Sequence, residues 1–446
     1  MEDIALRRSR MGDWLLNRAV RGERVVRLRF GRLRLVYLLG PEANALVFGN
    51  DEWFRTREAF AALEIVDGPT SVVLSDGPEH ARRRRLIRPT VAPRRIDGYL
   101  ETMVEAADEG LAQIRPDRSF DAYSLFRDAI RHSTLRMLFG GAIARNAVEL
   151  GEMLQPLLDL TEKLPPVLDW HRRVRSRAWR RAEAARTAVD EFVNDQIARE
   201  RGRVPVPAAP GAEPSSEPQE SAESPPESVL PLLVHGRDGT GSGLDDQEVR
   251  DQVVTMIAAG YETTSAAMGW IVYLLGAHPH WQRRCRDEIA AVLEGRPPGP
   301  GDLDALPLVQ AVVTEALRLY PPAIISARHA VQAFSYGGEQ VKPGDLVIFS
   351  PYVTHRDPNL YDDPSRFDPG RWIETPRRPP EEFLPFGGGK HRCLGNGLAM
   401  AELTVMTCRL LARGEFALDR APARARGFAA MRPDPGVLVR MSGASG

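Results

Sequence analysis

The sequence predicts a mostly α-helical fold with small β-sheets. Three observations carry that expectation. Amphipathic segments of helical period recur through most of the chain. One long helical pattern covers Asp245 to Gly276. Alternating, β-type runs are confined to short stretches such as 24–39 and 324–349. With 446 residues, 43% of them apolar, the chain can bury a substantial core without disulfide or metal staples.

From the N-terminus, Val26-Arg27-Leu28-Arg29-Phe30 alternates apolar and basic, and Leu33-Arg34-Leu35 alternates again. Gly31-Arg32 between them predicts a hairpin turn. Residues 79–95 read as a strongly basic helix, and 97–115, 121–139, 147–160 and 171–201 as amphipathic helices. Residues 203–228 are dominated by Pro, Ala, Ser, Glu and Gly. Burial there cannot offset the entropy of ordering, which predicts a disordered surface loop inside a single domain spanning 1–446; a domain boundary is the alternative. Asp245 is an N-cap in front of Glu248. The helix that follows would span roughly 45 Å, and its polar break, Gly260-Tyr261-Glu262-Thr263-Thr264, argues against a membrane span. A helix over 303–319 ends at Pro321-Pro322, Leu346-Val347-Ile348-Phe349 reads as a strand, and a last helix covers 396–412.

The net charge of −1 gives no reason to expect a nucleic-acid partner. Three cysteines, Cys285, Cys393 and Cys408, make no disulfide framework and suit a reducing compartment. The stretch Met1 to Arg32 has neither a signal-peptide apolar core nor the roughly 20 apolar residues of a membrane span, so a cytoplasmic location is expected.

The strongest local signal is Phe386-Gly387-Gly388-Gly389-Lys390-His391-Arg392-Cys393-Leu394-Gly395. Glycines on both sides of a cysteine open backbone conformations closed to other residues and allow close approach to a flat ligand. Gly395 leads into a helix whose N-terminal amides can stabilise a thiolate, and Phe386 can shield the sulfur. The bland reading of a cysteine is an inert buried thiol, which suits Cys285 and Cys408. A phosphate loop is excluded because the Walker spacing is absent.

This segment fits Phe-x-x-Gly-x-x-x-Cys-x-Gly at Phe386, Gly389, Cys393 and Gly395, and resembles the haem-binding loop of the cytochrome P450 family. The resemblance implies heme b (iron-protoporphyrin IX) held between a long distal helix and this proximal loop. Cys393 would be the axial ligand to the haem iron and His391 a propionate contact.

Three further segments resemble the same family. In Ala259-Gly260-Tyr261-Glu262-Thr263-Thr264, a mid-helix glycine and buried polar groups are unfavourable unless they do something. The plain alternative is a back-bonded Thr and a structural carboxylate. The resemblance makes Gly260 the space for dioxygen, Glu262 the proton-relay acid and Thr263 the hydrogen-bonding hydroxyl at the distal site, with Thr264 in support. Glu315 and Arg318 share a helix face, where such a pair is commonplace. The resemblance instead implies a buried triad completed by Arg371, with Arg366 the lower-ranked alternative. His80 and Arg84, one turn apart on the basic helix, and Arg328 would bind haem propionates.

The implied activity is monooxygenation: activation of dioxygen and oxidation of a hydrophobic small molecule such as a terpenoid, steroid, fatty acid or polyketide. After Cys393 the sequence runs only to Gly446, so electrons are expected from a ferredoxin and ferredoxin reductase fed by NAD(P)H. Arg82, Arg83, Arg85, Lys390 and Arg392 are candidates for a positive docking face. By position in the family, the pocket draws on Phe60 to Val72, including Leu63, Ile65 and Val66, on Leu157 to Leu168, on Ile257 and Ala258, and on Ala323 to Ile325. Tyr361 to Trp372 resembles bacterial terpene oxidisers. The rival readings are a peroxide-driven hydroxylase of the same fold, against which the Glu262–Thr263 pair argues, and a non-catalytic haem gas sensor.

Overall fold

The computed structural model describes residues 10–31, 33–115, 118–140, 147–161, 165–202, 228–375, 377–422, 424–427 and 430–442. The expected loop at 203–228 lies, but for its last residue, outside them, as does Arg32 of the expected turn.

The helices are α1 (Arg10–Val20), α2 (Pro41–Gly49), α3 (Glu64–Asp67), α4 (Gly77–Ile87), α5 (Pro93–Leu111), α6 (Ala122–Phe139), α7 (Ala147–Thr161), α8 (Pro165–Arg173), α9 (Arg177–Gly202), α10 (Val229–His235), α11 (Asp246–Ala277), α12 (Pro279–Leu293), α13 (Pro307–Leu319), α14 (Pro351–Thr354), α15 (Gly370–Glu374) and α16 (Asn396–Ala412). The strands are β1 (Val25–Phe30), β2 (Leu33–Leu38), β3 (Phe54–Arg55), β4 (Phe120–Asp121), β5 (Ser326–Ala330), β6 (Phe334–Tyr336), β7 (Glu339–Val341), β8 (Leu346–Phe349), β9 (Phe416–Arg420), β10 (Arg424–Arg426), β11 (Arg432–Asp434) and β12 (Leu438–Met441). The mostly helical reading with small sheets holds.

Proline sets many helix starts. Pro41, Pro93, Pro279, Pro307 and Pro351 each stand in the first turn, where the missing N–H leaves no helical partner unsatisfied. The same chemistry corrects two expectations. The basic helix expected over 79–95 ends at Ile87, and a 3₁₀ turn containing Pro89 separates it from α5. The helix expected over 171–201 is two helices, broken where Arg175 takes φ +44°.

The sheet β1-β2-β8-β5-β3 joins the N-terminal hairpin to the strands after α13, with β2 and β8 parallel and the other pairs antiparallel. The helical core is built around α11, 32 residues long, against α6, α16, α9 and α13. Its start is a capping box: Glu248 N–H donates to Asp245 at 2.8 Å and Asp245 N–H to Glu248 at 3.3 Å. Trp270 stacks on Tyr320 of the α13 exit, ring centroids 3.9 Å apart. No helix among the described residues is long and apolar enough to cross a membrane.

Candidate functional site

The cysteine loop is folded by its glycines. Gly387 and Gly389 take φ +66° and +64°. A Cβ on Gly388 would stand 2.4 Å from the Phe48 ring of α2, and one on Gly389 2.8 Å from the Phe48 carbonyl oxygen. These two residues therefore permit a close approach to α2. Cys393 N–H donates to the Phe386 carbonyl at 2.9 Å and closes the loop.

Cys393 is solvent-accessible, while Cys285 and Cys408 are buried. Its surroundings on the protein side still push the thiol above its ordinary value. The Gly395 N–H, Arg84 and Arg392 oppose that push. Among the three cysteines Cys393 alone is accessible, and three groups favour its thiolate.

The basic residues expected beside it do come together. His80 stacks on His391 with centroids 4.0 Å apart, and an Arg84 Nη donates to the Arg392 carbonyl at 2.6 Å. Burial, Arg328 and His80 push His391 down to about 4, against Asp51 and Asp76. Arg328, 7% exposed on β5, donates to the Ala327 carbonyl at 2.7 Å, and no carboxylate pairs with it among the described residues. Burial pushes it down to about 10, with Asp51 and Asp76 drawing it up. A buried guanidinium without a carboxylate, close enough to act on two imidazoles, suits an anionic group. Asp51 and Asp76 were not foreseen: Asp51 lies 3.3 Å from His391, and Asp76 accepts from Thr56 N–H at 2.7 Å.

On α11, Met256, Ala258, Ala259, Gly260, Glu262 and Thr263 are accessible in a stretch from Glu248 to Leu275 that is otherwise buried. A side chain at Gly260 would meet Thr134 at 3.6 Å, ordinary contact, so the glycine is not forced from that direction. Thr263 Oγ donates to the Ala259 carbonyl at 2.7 Å, the back-bonded state. Glu262 accepts from Arg127 Nε of α6 at 3.0 Å. Arg127 also donates to Gln155 of α7 at 2.6 Å, and Gln155 to Asp159 at 2.8 Å. Glu262 and Thr263 are thus adjacent in sequence but bonded to different partners. Arg127, distant in sequence, carried no signal that could have found it.

The expected triad forms. Glu315 and Arg318 are fully buried and joined at 2.8 Å, and Arg371 Nε donates to Glu315 at 3.1 Å. Trp372 Nε1 and Asp368 N–H complete the carboxylate shell at 2.8 and 2.9 Å. Arg366 contributes its carbonyl, which accepts from Arg318 at 3.0 Å, and not its side chain. The docking face needs correction. Arg83 is buried and donates to Glu248 at 3.0 Å, and Arg82 bonds the same carboxylate, so neither offers a free charge; Lys390 lies 3.4 Å from Asp51. Of the expected pocket residues, Val66, Leu157, Ile257 and Ile324 are buried. Leu63, Ile65, Ala258, Ala323 and Ile325 are half-buried, and 162–164 lie outside the described residues.

The Cytochrome P450 family model matches residues 11–438. Cytochrome P450 139 of Mycobacterium tuberculosis is 41% identical over 412 residues, 91% of each chain. Cyclooctat-9-en-7-ol 5-monooxygenase of Streptomyces melanosporofaciens is 31% identical over 411 residues, 87% of this chain and 82% of that one. Pentalenene oxygenase of Streptomyces avermitilis is 38% identical over 193 residues, 43% of each. The retinoic acid bound cyanobacterial CYP120A1 has the same fold, with a TM-score of 0.84 at 23% identity over 97% of this chain and 94% of that one.

Proposed function

This chain belongs to the cytochrome P450 family and is a haem-dependent monooxygenase; we propose that it oxidises a hydrophobic, terpenoid-sized substrate, with Cys393 as its thiolate ligand, in one domain served by separate electron-transfer proteins. The observation that carries the reading is Cys393 itself: an accessible sulfur with Arg84 and Arg392 acting on it. Protoporphyrin IX held by a thiolate supplies reductive activation of dioxygen and transfer of one oxygen atom to an unactivated C–H bond.

The chain's own residues do the rest. Cys393 must be held as thiolate; burial opposes that, and the Gly395 amide, Arg84 and Arg392 offset part of the push. Arg328, His80, His391 and Arg84 would hold the propionates, whose charge would offset that of the buried Arg328. Arg127, Gln155 and Asp159 make a hydrogen-bonded chain leading away from Glu262. For Glu262 to hand a proton to Thr263 it must turn from Arg127, while the Thr263 hydroxyl leaves the Ala259 carbonyl.

The residues that the family resemblance assigns to the pocket, Ile65, Val66, Ile257, Ala258 and Ile325, are all apolar, which favours a hydrocarbon-rich substrate. Two relatives named for oxidation of a cyclooctatenol and of pentalenene support a terpenoid. The test is a panel of sesquiterpenes, diterpenes, steroids and fatty acids. Each is scored by spin-state shift, then by product formed with a ferredoxin and its reductase and, separately, with hydrogen peroxide. Terpenoid shifts and ferredoxin-dependent product support the reading. Shifts confined to fatty acids, with product from peroxide alone, contradict it.

A further inference from the structure

Seven large apolar side chains are exposed among the described residues, and three of them, Val167, Trp170 and Val174, stand on α8 and its exit. They recur at i, i+3 and i+7, which is one face of a helix. Val174 N–H donates to the Trp170 carbonyl at 3.0 Å, so the helical turn continues far enough to place it there. Trp170 is 56% exposed. Leu168, by contrast, packs on the helical core, as does Trp179 of α9. Local bonds build the corner between the two helices. His171 Nδ1 and Ser176 Oγ are hydrogen-bonded at 2.7 Å, and Ser176 Oγ accepts from Trp179 N–H at 3.1 Å. The exposure of Trp170 therefore belongs to an ordered turn.

Charge follows the same strip. From Trp170 to Ala182 the sequence has six arginines and no carboxylate side chain, in a chain whose charges otherwise balance at 59 Lys+Arg and 60 Asp+Glu. Arg172, Arg173, Arg175, Arg177, Arg180 and Arg181 are all exposed. Arg175 pairs with Glu183 at 3.1 Å, just beyond the strip. Apolar side chains scattered singly over a surface need no explanation, but a cluster of them marks a contact surface. This cluster offers apolar area and cations, and its two other polar side chains, His171 and Ser176, are bonded to each other. A folded protein partner presents both signs of charge and asks for acceptors as well as donors. A leaflet of anionic headgroups asks only for cations and apolar depth. Tryptophan sits at headgroup level, aliphatic neighbours reach the acyl boundary, and guanidinium groups meet phosphate.

We propose that Val167, Trp170, Val174 and the arginines that follow them form a docking surface for an anionic lipid bilayer, to which the protein attaches on one side. No helix among the described residues is long and apolar enough to cross it. An apolar substrate concentrates in such a bilayer; that consequence alone rests on the substrate reading above, and the test reads binding only.

The test uses the haem-loaded full chain and sucrose-loaded vesicles of phosphatidylcholine, with phosphatidylglycerol added in one set, sedimented at low and at high salt. The variants are Trp170→Ser and the triple change Arg177→Glu, Arg180→Glu, Arg181→Glu. Ile373→Ser on α15 removes another exposed apolar side chain and serves as the control. An unchanged urea midpoint shows that each variant is folded. The wild type is expected to sediment with the anionic vesicles, to ignore phosphatidylcholine alone and to be released by salt. Trp170→Ser should weaken partitioning roughly tenfold. The arginine reversal should weaken it more than about a hundredfold, at about fivefold per cation. Ile373→Ser should leave it unchanged. Failure of the wild type to sediment with anionic vesicles overturns the proposal, as does full binding by Trp170→Ser or an equal loss in Ile373→Ser. Binding to immobilised polyglutamate in place of vesicles would assign the surface to an acidic protein and overturn it too.

Discussion

Glu402 lies in α16, nine residues after Cys393, and is 3% exposed. Its Oε1 has no hydrogen-bond partner among the described residues, and no cation pairs with it there. Burial pushes its carboxyl from the ordinary 4.5 up to about 8, with only the Ser133 hydroxyl of α6 opposing. The folded protein therefore holds a proton here that the unfolded chain releases. Between pH 4.5 and about 8 this group's contribution to stability falls as pH rises, by about 1.4 kcal/mol per pH unit; below that window the group has no effect, and above it the loss is complete. The whole effect is about 5 kcal/mol. Glu402→Gln keeps the shape and never ionises. The variant should match the wild type near pH 4.5, exceed its stability by about 3 kcal/mol at pH 7, and reach the full difference at pH 8 and above. Urea unfolding followed by tryptophan fluorescence at pH 5, 6, 7 and 8 measures this. A stability difference that stayed flat with pH, or shrank as pH rose, would refute the reasoning.

Other expectations follow from the same geometry. Arg371→Ala removes one of the two cations on the buried Glu315 and should cost about 3–5 kcal/mol, seen as a lower urea midpoint and faster haem loss; Arg366→Ala, which keeps the carbonyl that Arg318 uses, should cost under about 1 kcal/mol. Thr263→Ala should leave haem content and folding intact and lower product formed per NAD(P)H consumed, with the difference appearing as peroxide. Gly388→Ala drives a methyl group into the Phe48 ring and should destabilise by about 1–3 kcal/mol, measured by the same unfolding assay. Arg328→Gln should weaken haem retention in apomyoglobin competition by roughly tenfold, because a charge-assisted contact is lost.

What the sequence revealed was local. The boundaries of α6 and α16 and the capping box of α11 are set by neighbours within a few residues, and all were legible. The triad was legible as far as Glu315 and Arg318, because their spacing puts them on one helix face. Arg371 was separated from Arg366 only when the chain's fold showed which side chain, and which mere carbonyl, reached the pair. Three contacts that span the chain left no trace. Arg127 meets Glu262 across 135 positions, Phe48 meets Gly388 from α2, and Asp251 meets Thr70 across 181. The basic run at 79–95 misled because Arg is equally at home in a solvated face and in a buried pair. Arg83 turned out to be of the second kind. Short helices such as α2, α14 and α15 were missed because so few residues carry no periodicity.

The central claim is that Cys393 binds the haem iron as thiolate. The direct measurement is the difference spectrum of dithionite-reduced protein with and without carbon monoxide, taken for the wild type and for Cys393→Ser. The account predicts a far red-shifted Soret maximum in the wild type, lost in the variant. A wild-type maximum at the shorter wavelength of histidine-ligated haem, or a red-shifted band that survives Cys393→Ser, would contradict it.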